Sequence, residues 1–519
     1  MKKWLVLLVM SVGTLIIFLD NTVVNTALPA ISVDLEASTS TLQWIIDSYV
    51  LVLAGLLLLG GSLGDRFGRK RWMIGGLVVF GAGAVGAALA TTANQLIAYR
   101  AVQGLGAALV LPATLSIITN VFPRGERAKA IGIWTAVGAL GIGLGPALGG
   151  YLVDDFGWAS VFWMHIPVVL LALVGMAIVP ESKDDRNLKL DIPGAVLGTA
   201  GLTALVYAII QGSEAGWTSP LILGSFWLAG GLLTAFAWVE TRSDHPMLPL
   251  RFFRQKDFTG AVLAIGLILF GMLVTFFFLT QYFQIVQGRS ALEAGLLIIP
   301  TSLAMMVGAP LSGQLMAKIG PRYLVLAMAT AMVTGVMLLT GLEVGSSAIT
   351  AIIPLTIFGF GAGLGMPALT DTVMAAVPEE DAGIGSAVND VSRELGGALG
   401  IATIGSVVSG LYRANVGDAL VGLPADVADL AAESIGVAAI TAQQLPTEVG
   451  ARVMEAANGA FMDAMTSGFQ ISALILLSAV VIAFTLVPRK MRTSQAQATD
   501  EVPGLPTLGP DPVPEGAVA

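Results

Sequence analysis

The sequence predicts an all-α integral membrane protein: two similar six-helix bundles with two extra transmembrane helices between them, fourteen spans in all. Three observations carry this. Of the 519 residues, 55% are hydrophobic and 12% charged, about half the charge of a soluble domain, and the mean hydropathy is +0.83. No soluble core could hide so much apolar side chain behind a wettable surface. Next, the apolar residues fall into fourteen runs of about 20, the length that crosses a bilayer as a helix. Finally, segments from the two halves of the chain repeat one another.

The runs are 5–27, 43–63, 73–91, 95–118, 130–153, 160–179, 192–211, 220–239, 259–284, 292–315, 322–341, 348–374, 385–411 and 463–487. The first exceeds a signal-peptide core and has no small-residue cleavage site after it, so it is expected to stay as a span. In the second and fourteenth, LVLAGLLLLGG (51–61) and ISALILLSAVVIAF (471–484) are continuously apolar, whereas barrel strands alternate. The fifth carries GALGIGLGPALGG (138–150), whose glycines allow close backbone approach and whose Pro146 invites a bend. The runs at 192–211 and 220–239 fall between the repeated halves and are the natural insertion. The expected divisions are 1–190 for the first bundle, 191–257 for the inserted pair and linker, 258–488 for the second bundle, and 489–519 for the tail.

The basic residues test the count. Of 26 Lys and Arg, 21 fall in the N-terminus, alternate loops and C-terminal flank, among them Arg66–Arg71, Arg124–Lys129 and Arg251–Lys256. Opposite loops hold Arg289, Arg413 and Arg452, leaving Arg100 and Arg393 inside spans. This alternation predicts both termini in the cytoplasm of a cell (inner) membrane. The outer segment 412–461 is expected to form short amphipathic pieces, and the Pro-rich, acidic tail to be disordered.

The repeat aligns GLGAALVLPATLSIITNVFP (104–123) with GFGAGLGMPALTDTVMAAVP (359–378), at an offset of 255. The loop from Gly61 to Gly68 aligns with Gly313 to Gly320, at an offset of 252. Two parallel halves are the arrangement of a carrier that rocks about a midplane site.

Ionisable groups at membrane depth cost about 2.5–3.5 kcal/mol each on insertion scales and commonly mark an ion or substrate path. Asp20 lies two-thirds along the first run with Asn21 and Asn25 beside it, and Asp47 lies near the outer end of the second. Arg100 stands at a depth similar to Asp20, so the two could also simply pair. Asp390 and Glu394 are four apart and share a helix face, with Arg393 beside them. Such a carboxyl pair can exchange a proton for a cation. Asp371 and Asp463 sit nearer the membrane surfaces. Trp44, Phe276, Phe277, Phe278, Met305 and Met306 could give a plastic apolar lining, or face lipid. Without cysteine and with only His165 and His245, no metal site is expected, and no cofactor. The glycine-rich stretch at mid-span lacks the strand and the Lys-Ser/Thr of a phosphate loop, so no ATP chemistry is expected. Nor is there a catalytic constellation, so the chain is not expected to be an enzyme, nor to bind nucleic acid.

Five stretches carry a family resemblance: LDNTVVNTALP (19–29), GSLGDRFGRKR (61–71), LIAYRAVQGLGAALVLPA (96–113), GALGIGLGPALGG (138–150) and WASVFWMHIP (158–167). On these the chain resembles the major facilitator superfamily, in particular its fourteen-span drug:proton antiporter branch of the EmrB, QacA and LfrA type. The resemblance implies a monomeric, proton-coupled exporter of hydrophobic, often cationic drugs, working in the lipid bilayer by alternating access. It implies proton coupling by Asp20, Arg100, Asp390 and Glu394, and substrate contact by Asp47, Asp390 and Glu394, to which the residue pattern itself adds Asn21, Asn25, Phe276 and Met305 as candidate substrate contacts. It assigns conformational roles to Gly61, Asp65, Arg66, Gly68 and Arg69 at the bundle ends. Gly141, Gly145, Pro146 and Gly149 would seal the bundle interface. His165 stands where many members have Asn, and a hydrogen-bonding role is expected of it. Ala317 replaces Asp65 in the second copy of the loop. A dedicated exporter of one metabolite, lipid or amino acid is the alternative on the same fold.

Overall fold

The computed structural model describes residues 2–489 apart from 36, 38, 183–190, 244, 245, 247, 379, 380 and 421–424. Among the described residues the chain is helical and contains no strand. The first half comprises α1 (Lys2–Asp34), α2 (Thr39–Phe67), α3 (Arg69–Ala88), α4 (Ala93–Val121), α5 (Arg124–Phe156), α6 (Ser160–Trp163) and α7 (His165–Gly175). Then come α8 (Ile192–Ala215) and α9 (Pro220–Glu240). The second half comprises α10 (Lys256–Gln281), α11 (Ala291–Ile319), α12 (Pro321–Leu339), α13 (Ala348–Ala375), α14 (Ala382–Ala419), α15 (Ala425–Glu433), α16 (Ile435–Gln444) and α17 (Thr447–Thr485).

Thirteen helical segments among the described residues are long and apolar enough to cross a membrane. The run at 130–153 lies within α5, a continuous helix of 33 residues. The sixth run is broken between α6 and α7. Pro167 has no N–H to give the Trp163 carbonyl, so the chain turns at Met164 and starts again. Segment 412–461 is taken up by extensions of α14 and α17 with α15 and α16 between them, α15 being tied back by Tyr412 Oη donating to the Ala431 carbonyl at 2.9 Å. Lys183, Arg186, Lys189, His245 and the tail from 490 lie outside the described residues.

Local signals set several helix starts. The Thr92 hydroxyl accepts from Gln95 N at α4, Asp191 accepts from Gly194 N at α8, and Ser290 with Glu293 forms a capping box at α11. The two copies of the repeat turn alike. Gly68 (φ 108°) opens α3 and Gly320 (φ 80°) opens α12, a left-handed backbone that only glycine adopts readily.

The copies also pack alike. A Cβ on Gly104 of α4 would strike the Tyr49 carbonyl of α2, and one on Gly359 of α13 would strike the Thr301 carbonyl of α11. Those residues are partners at the two repeat offsets. Gly106 lies against α3 at Phe80, and Gly361 against α12 at Met328. Small residues thus let equivalent helices in each half touch backbone to backbone. Between the halves, α5 meets α11 and α2 meets α14. Helices α8 and α9 lie outside, where α8 packs on both α2 and α14 and Trp217 Nε1 donates to Ser406 Oγ of α14 at 2.9 Å.

Candidate functional site

Three groups of polar residues sit where the fold brings helices together. The first is sealed inside the first half. Arg100 of α4 donates from Nη1 to Asp20 Oδ2 of α1 at 2.6 Å. The same Nη1 is 3.1 Å from Gln103 Oε1, and Nε donates to the Ile45 carbonyl of α2 at 3.2 Å. The guanidinium also lies 4.3 Å from the Tyr49 ring centre, a cation–π contact at short range. His165 of α7 completes the cluster, with Nε2 3.4 Å from Asp20 Oδ1 and Nδ1 3.2 Å from the Phe162 carbonyl. Asp20 and His165 are 0% exposed and Arg100 1%. A charge pair so placed attracts strongly and is not screened. Removing either partner would strand the other at a cost of about 3–5 kcal/mol.

The second group lies on α14, at the seam. Asp390 is buried, and Arg393 and Glu394 are half-buried. Asn389 Nδ2 donates to Asp390 Oδ1 at 3.1 Å, while Asp390 Oδ2 has no hydrogen-bond partner. Arg393 reaches across to the first half. Its guanidinium carbon lies 5.8 Å from the Phe18 ring centre and 5.9 Å from that of Trp134, and Nη1 makes no hydrogen bond. Trp134 is itself fixed, donating from Nε1 to Thr14 Oγ1 at 2.6 Å. Among the described residues, no ion pair joins Asp390, Arg393 or Glu394 to anything.

Beside Arg393 is a central cavity of about 40 Å³, lined by Phe18 and Thr135 from one half and Phe276, Met305 and Phe358 from the other. That volume holds a water or two, far less than the roughly 300 Å³ or more of a drug-sized pocket. As it stands, this cavity is too small for a drug-sized molecule. A larger groove of about 660 Å³ runs between α2, α8 and α9, lined by Leu51, Leu59, Val196, Thr203, Tyr207 and Leu228 among others. It is open and apolar and its lining carries no acidic or basic side chain, as a lipid-filled groove would.

The third group closes the seam at the end that carries the basic loops. Helix α14 begins at Ala382 with no side-chain cap of its own, and Asp65 of α2 supplies one. Its Oδ1 accepts from Gly383 N at 2.9 Å and its Oδ2 from Ile384 N at 3.1 Å. A carboxylate at a helix N-terminus meets both orphan N–H groups and the positive end of the dipole. Arg69 holds Asp65 in place, with Nε at 2.8 Å and Nη2 at 2.7 Å from Oδ1. Gly61 and Gly383 permit the approach, since a Cβ on either would strike the other's carbonyl. Arg66 is half-buried and lies over the Phe67 ring at 5.3 Å. At the same end Gly132 of α5 rests on Ala309 of α11, and Gly313 on Lys129.

Of the residues singled out in the sequence, the structure joins Asp20 to Arg100, sets Asp390 and Glu394 on one helix, and puts Phe276 and Met305 beside Arg393. It does not bring Asp47, Asn21 or Asn25 into either cluster. Asp47 is half-buried on α2, Asn21 is half-buried, and Asn25 is exposed with its amide on the Asn21 carbonyl at 2.9 Å. Gly141, Gly145 and Gly149 face Leu15, Thr22 and Thr26 of α1 inside the first half, rather than the seam. The side chain of Pro146 lies outside the described residues. Sequence reasoning missed Tyr49 and Gln103, and gave His165 no link to Asp20. The usable signal was its depth, since an ionisable ring inside a span is a functional candidate by default.

The sequence profile of the Major Facilitator Superfamily matches residues 10–401. The chain is 36% identical over 414 residues to the multidrug resistance protein Stp of Mycobacterium tuberculosis, spanning 79% of this chain and 77% of that protein. It is 34% identical over 492 residues to the multidrug efflux pump LfrA of Mycolicibacterium smegmatis, spanning 93% and 95%. In three dimensions it superposes on the proton:xylose symporter XylE with a TM-score of 0.63 at 16% identity, over 96% of this chain and 98% of that one. This last likeness is one of fold.

Proposed function

The chain belongs to the Major Facilitator Superfamily, and from that footing we propose that it exports hydrophobic, often cationic drugs in exchange for protons. It is a multi-pass membrane protein and a transporter rather than an enzyme. The finer reading has fourteen spans, both termini in the cytoplasm, two rocking six-helix bundles and a monomeric working unit.

The observation that carries the exchange is the difference between the two acidic clusters. Asp20 is closed off with Arg100 and His165, out of reach of any substrate. Asp390 and Glu394 stand on a helix of the seam with no salt bridge among the described residues, Asp390 Oδ2 lacks a hydrogen-bond partner, and Arg393 between them lines the small cavity. In this reading the seam acids receive the cationic drug, with Phe276 and Met305 as its apolar wall, while Asp20 carries the coupling proton. A passenger and a proton that prefer opposite states of the bundles are what drive exchange. The Asp65–α14 contact is the latch of the state closed on the cytoplasmic side. Opening requires its two hydrogen bonds and the Gly61–Gly383 contact to part. Asp47, Asn21 and Asn25 belong to the path rather than to the small cavity.

Transport in proteoliposomes under an imposed proton gradient tests the reading. Uptake of ethidium and tetraphenylphosphonium should follow the gradient and stop with an uncoupler. A panel of charged and neutral drugs separates broad export from the export of one compound. Gradient-independent movement of every compound would contradict it.

A further inference from the structure

The pairing of Asp20 with Arg100 leaves one contact in the sealed cluster unaccounted for. His165 Nδ1 faces the Phe162 carbonyl at 3.2 Å. A carbonyl only accepts, so Nδ1 carries the hydrogen and, in a neutral ring, Nε2 is a bare acceptor. Nε2 points at Asp20 Oδ1, 3.4 Å away, and an ionised carboxylate also only accepts. Both atoms are buried without another hydrogen-bond partner. Two lone pairs facing each other in a site closed to water repel, and each unmet group costs about 1–3 kcal/mol. One proton between them removes both costs.

We propose that Asp20 and His165 jointly hold one exchangeable proton, carried on Oδ1 and donated to Nε2 or carried on Nε2 and donated to Oδ1. His165 thus acts as a second proton-holding residue beside Asp20, a role that rests on the proton-coupled reading above. The charge count is simple. With the proton bound, Asp20 and His165 sum to zero and Arg100 leaves the cluster at +1. When the proton passes to water, Asp20 is an anion, His165 is neutral, and the cluster sums to zero against Arg100. The other groups facing the pair are Arg100 of α4 on Oδ2, Tyr49 of α2 under the guanidinium, and the Phe80 ring of α3, edge-on to His165 at 5.5 Å. Glu394 of α14, in the other half, is within electrostatic reach of Tyr49. Because neither Asp20 nor His165 is exposed, the proton is trapped until the bundles move.

The test uses the full-length protein in lipid nanodiscs. His245→Gln leaves His165 as the single imidazole, so its 15N resonances report one ring. The proposal expects a protonated Nδ1 and an Nε2 signal of shared-proton character that turns into a plain acceptor when Asp20→Asn is added. A protonated Nε2 over a bare Nδ1, or an Nε2 signal indifferent to Asp20→Asn, would overturn it. In proteoliposomes carrying tetraphenylphosphonium, His165→Asn and His165→Gln should move the pH profile of gradient-driven transport by about one pH unit or more, with gradient-free exchange retained. An unmoved profile in folded variants would also overturn it. Should the unmodified protein ignore the pH gradient, the coupling reading falls, while the resonances still decide whether the proton is shared.

Discussion

Asp20 and Arg100 meet at 2.6 Å in the first half with neither accessible, whereas in the second half Asp390, Arg393 and Glu394 crowd one helix without a salt bridge among the described residues. Both halves carry the repeated pattern, and both place an arginine and a carboxylate on helices long and apolar enough to span a membrane. The difference lies in what surrounds them. In the first half α1, α2, α4 and α7 close over the charges from four sides. In the second, the charges face the other half across a seam that, in the proposed mechanism, opens and closes. A buried pair enclosed on all sides is part of the fold and can change only by taking or losing a proton. An unpaired set at a moving seam is available to a charge brought from outside.

The comparison breaks first at Arg100. Arg100→Ala leaves Asp20 unpaired, and a loss of about 3–5 kcal/mol is expected. Thermal melting in detergent should register it together with abolished efflux. The apolar double replacement Asp20→Leu with Arg100→Met should regain most of that stability without regaining transport. If transport returned, the pair would be scaffolding alone.

Next is the latch. Asp65→Ala removes acceptors from two helix N–H groups and from Arg69, at a cost of about 1–3 kcal/mol to the closed state. Spin labels on the basic-loop ends of α2 and α14 should show a longer mean distance and a larger open population. An unchanged distribution would mean that α5 against α11 holds the halves closed unaided.

Asp390→Asn and Glu394→Gln should cost less than about 1 kcal/mol in stability, because no salt bridge is broken and an amide oxygen can still accept from Asn389, yet impair cation efflux more than neutral-drug efflux. Equal loss for both classes would make these acids part of general coupling. The smallest effect is expected at the inserted helices. Trp217→Phe removes one hydrogen bond to Ser406, worth about 0.5–1.5 kcal/mol, and should leave transport of both classes intact in the same vesicle assay.

Much of this architecture can be read from composition and pattern, because lipid is an exacting solvent. A span needs continuous apolar residues, and the loops reveal themselves by their Lys and Arg. Even the possibility that Asp20 and Arg100 pair follows from similar depth on two spans. The rest depends on which faces meet. Nothing in the residues around Gly383 says that an acid 318 positions earlier will cap α14. Nothing in GALGIGLGPALGG says that its glycines turn toward α1, because a stripe of small residues fits any close neighbour. The break at Met164 could have been read from Pro167. The aim of His165 at Asp20 could not, since it depends on how α7 rotates against α1.

The most direct measurement compares two kinds of transport in the same proteoliposomes, one driven by a proton gradient and one a gradient-free exchange of tetraphenylphosphonium. If the sealed acid carries the proton and the seam acids carry the cation, Asp20→Asn abolishes the driven component but keeps the exchange. The double variant Asp390→Asn with Glu394→Gln then loses both, through loss of cation binding. If Asp20→Asn abolished exchange as fully as driven transport while the protein stayed folded, or the seam variant exchanged the cation normally, this division of labour between the two clusters would be wrong.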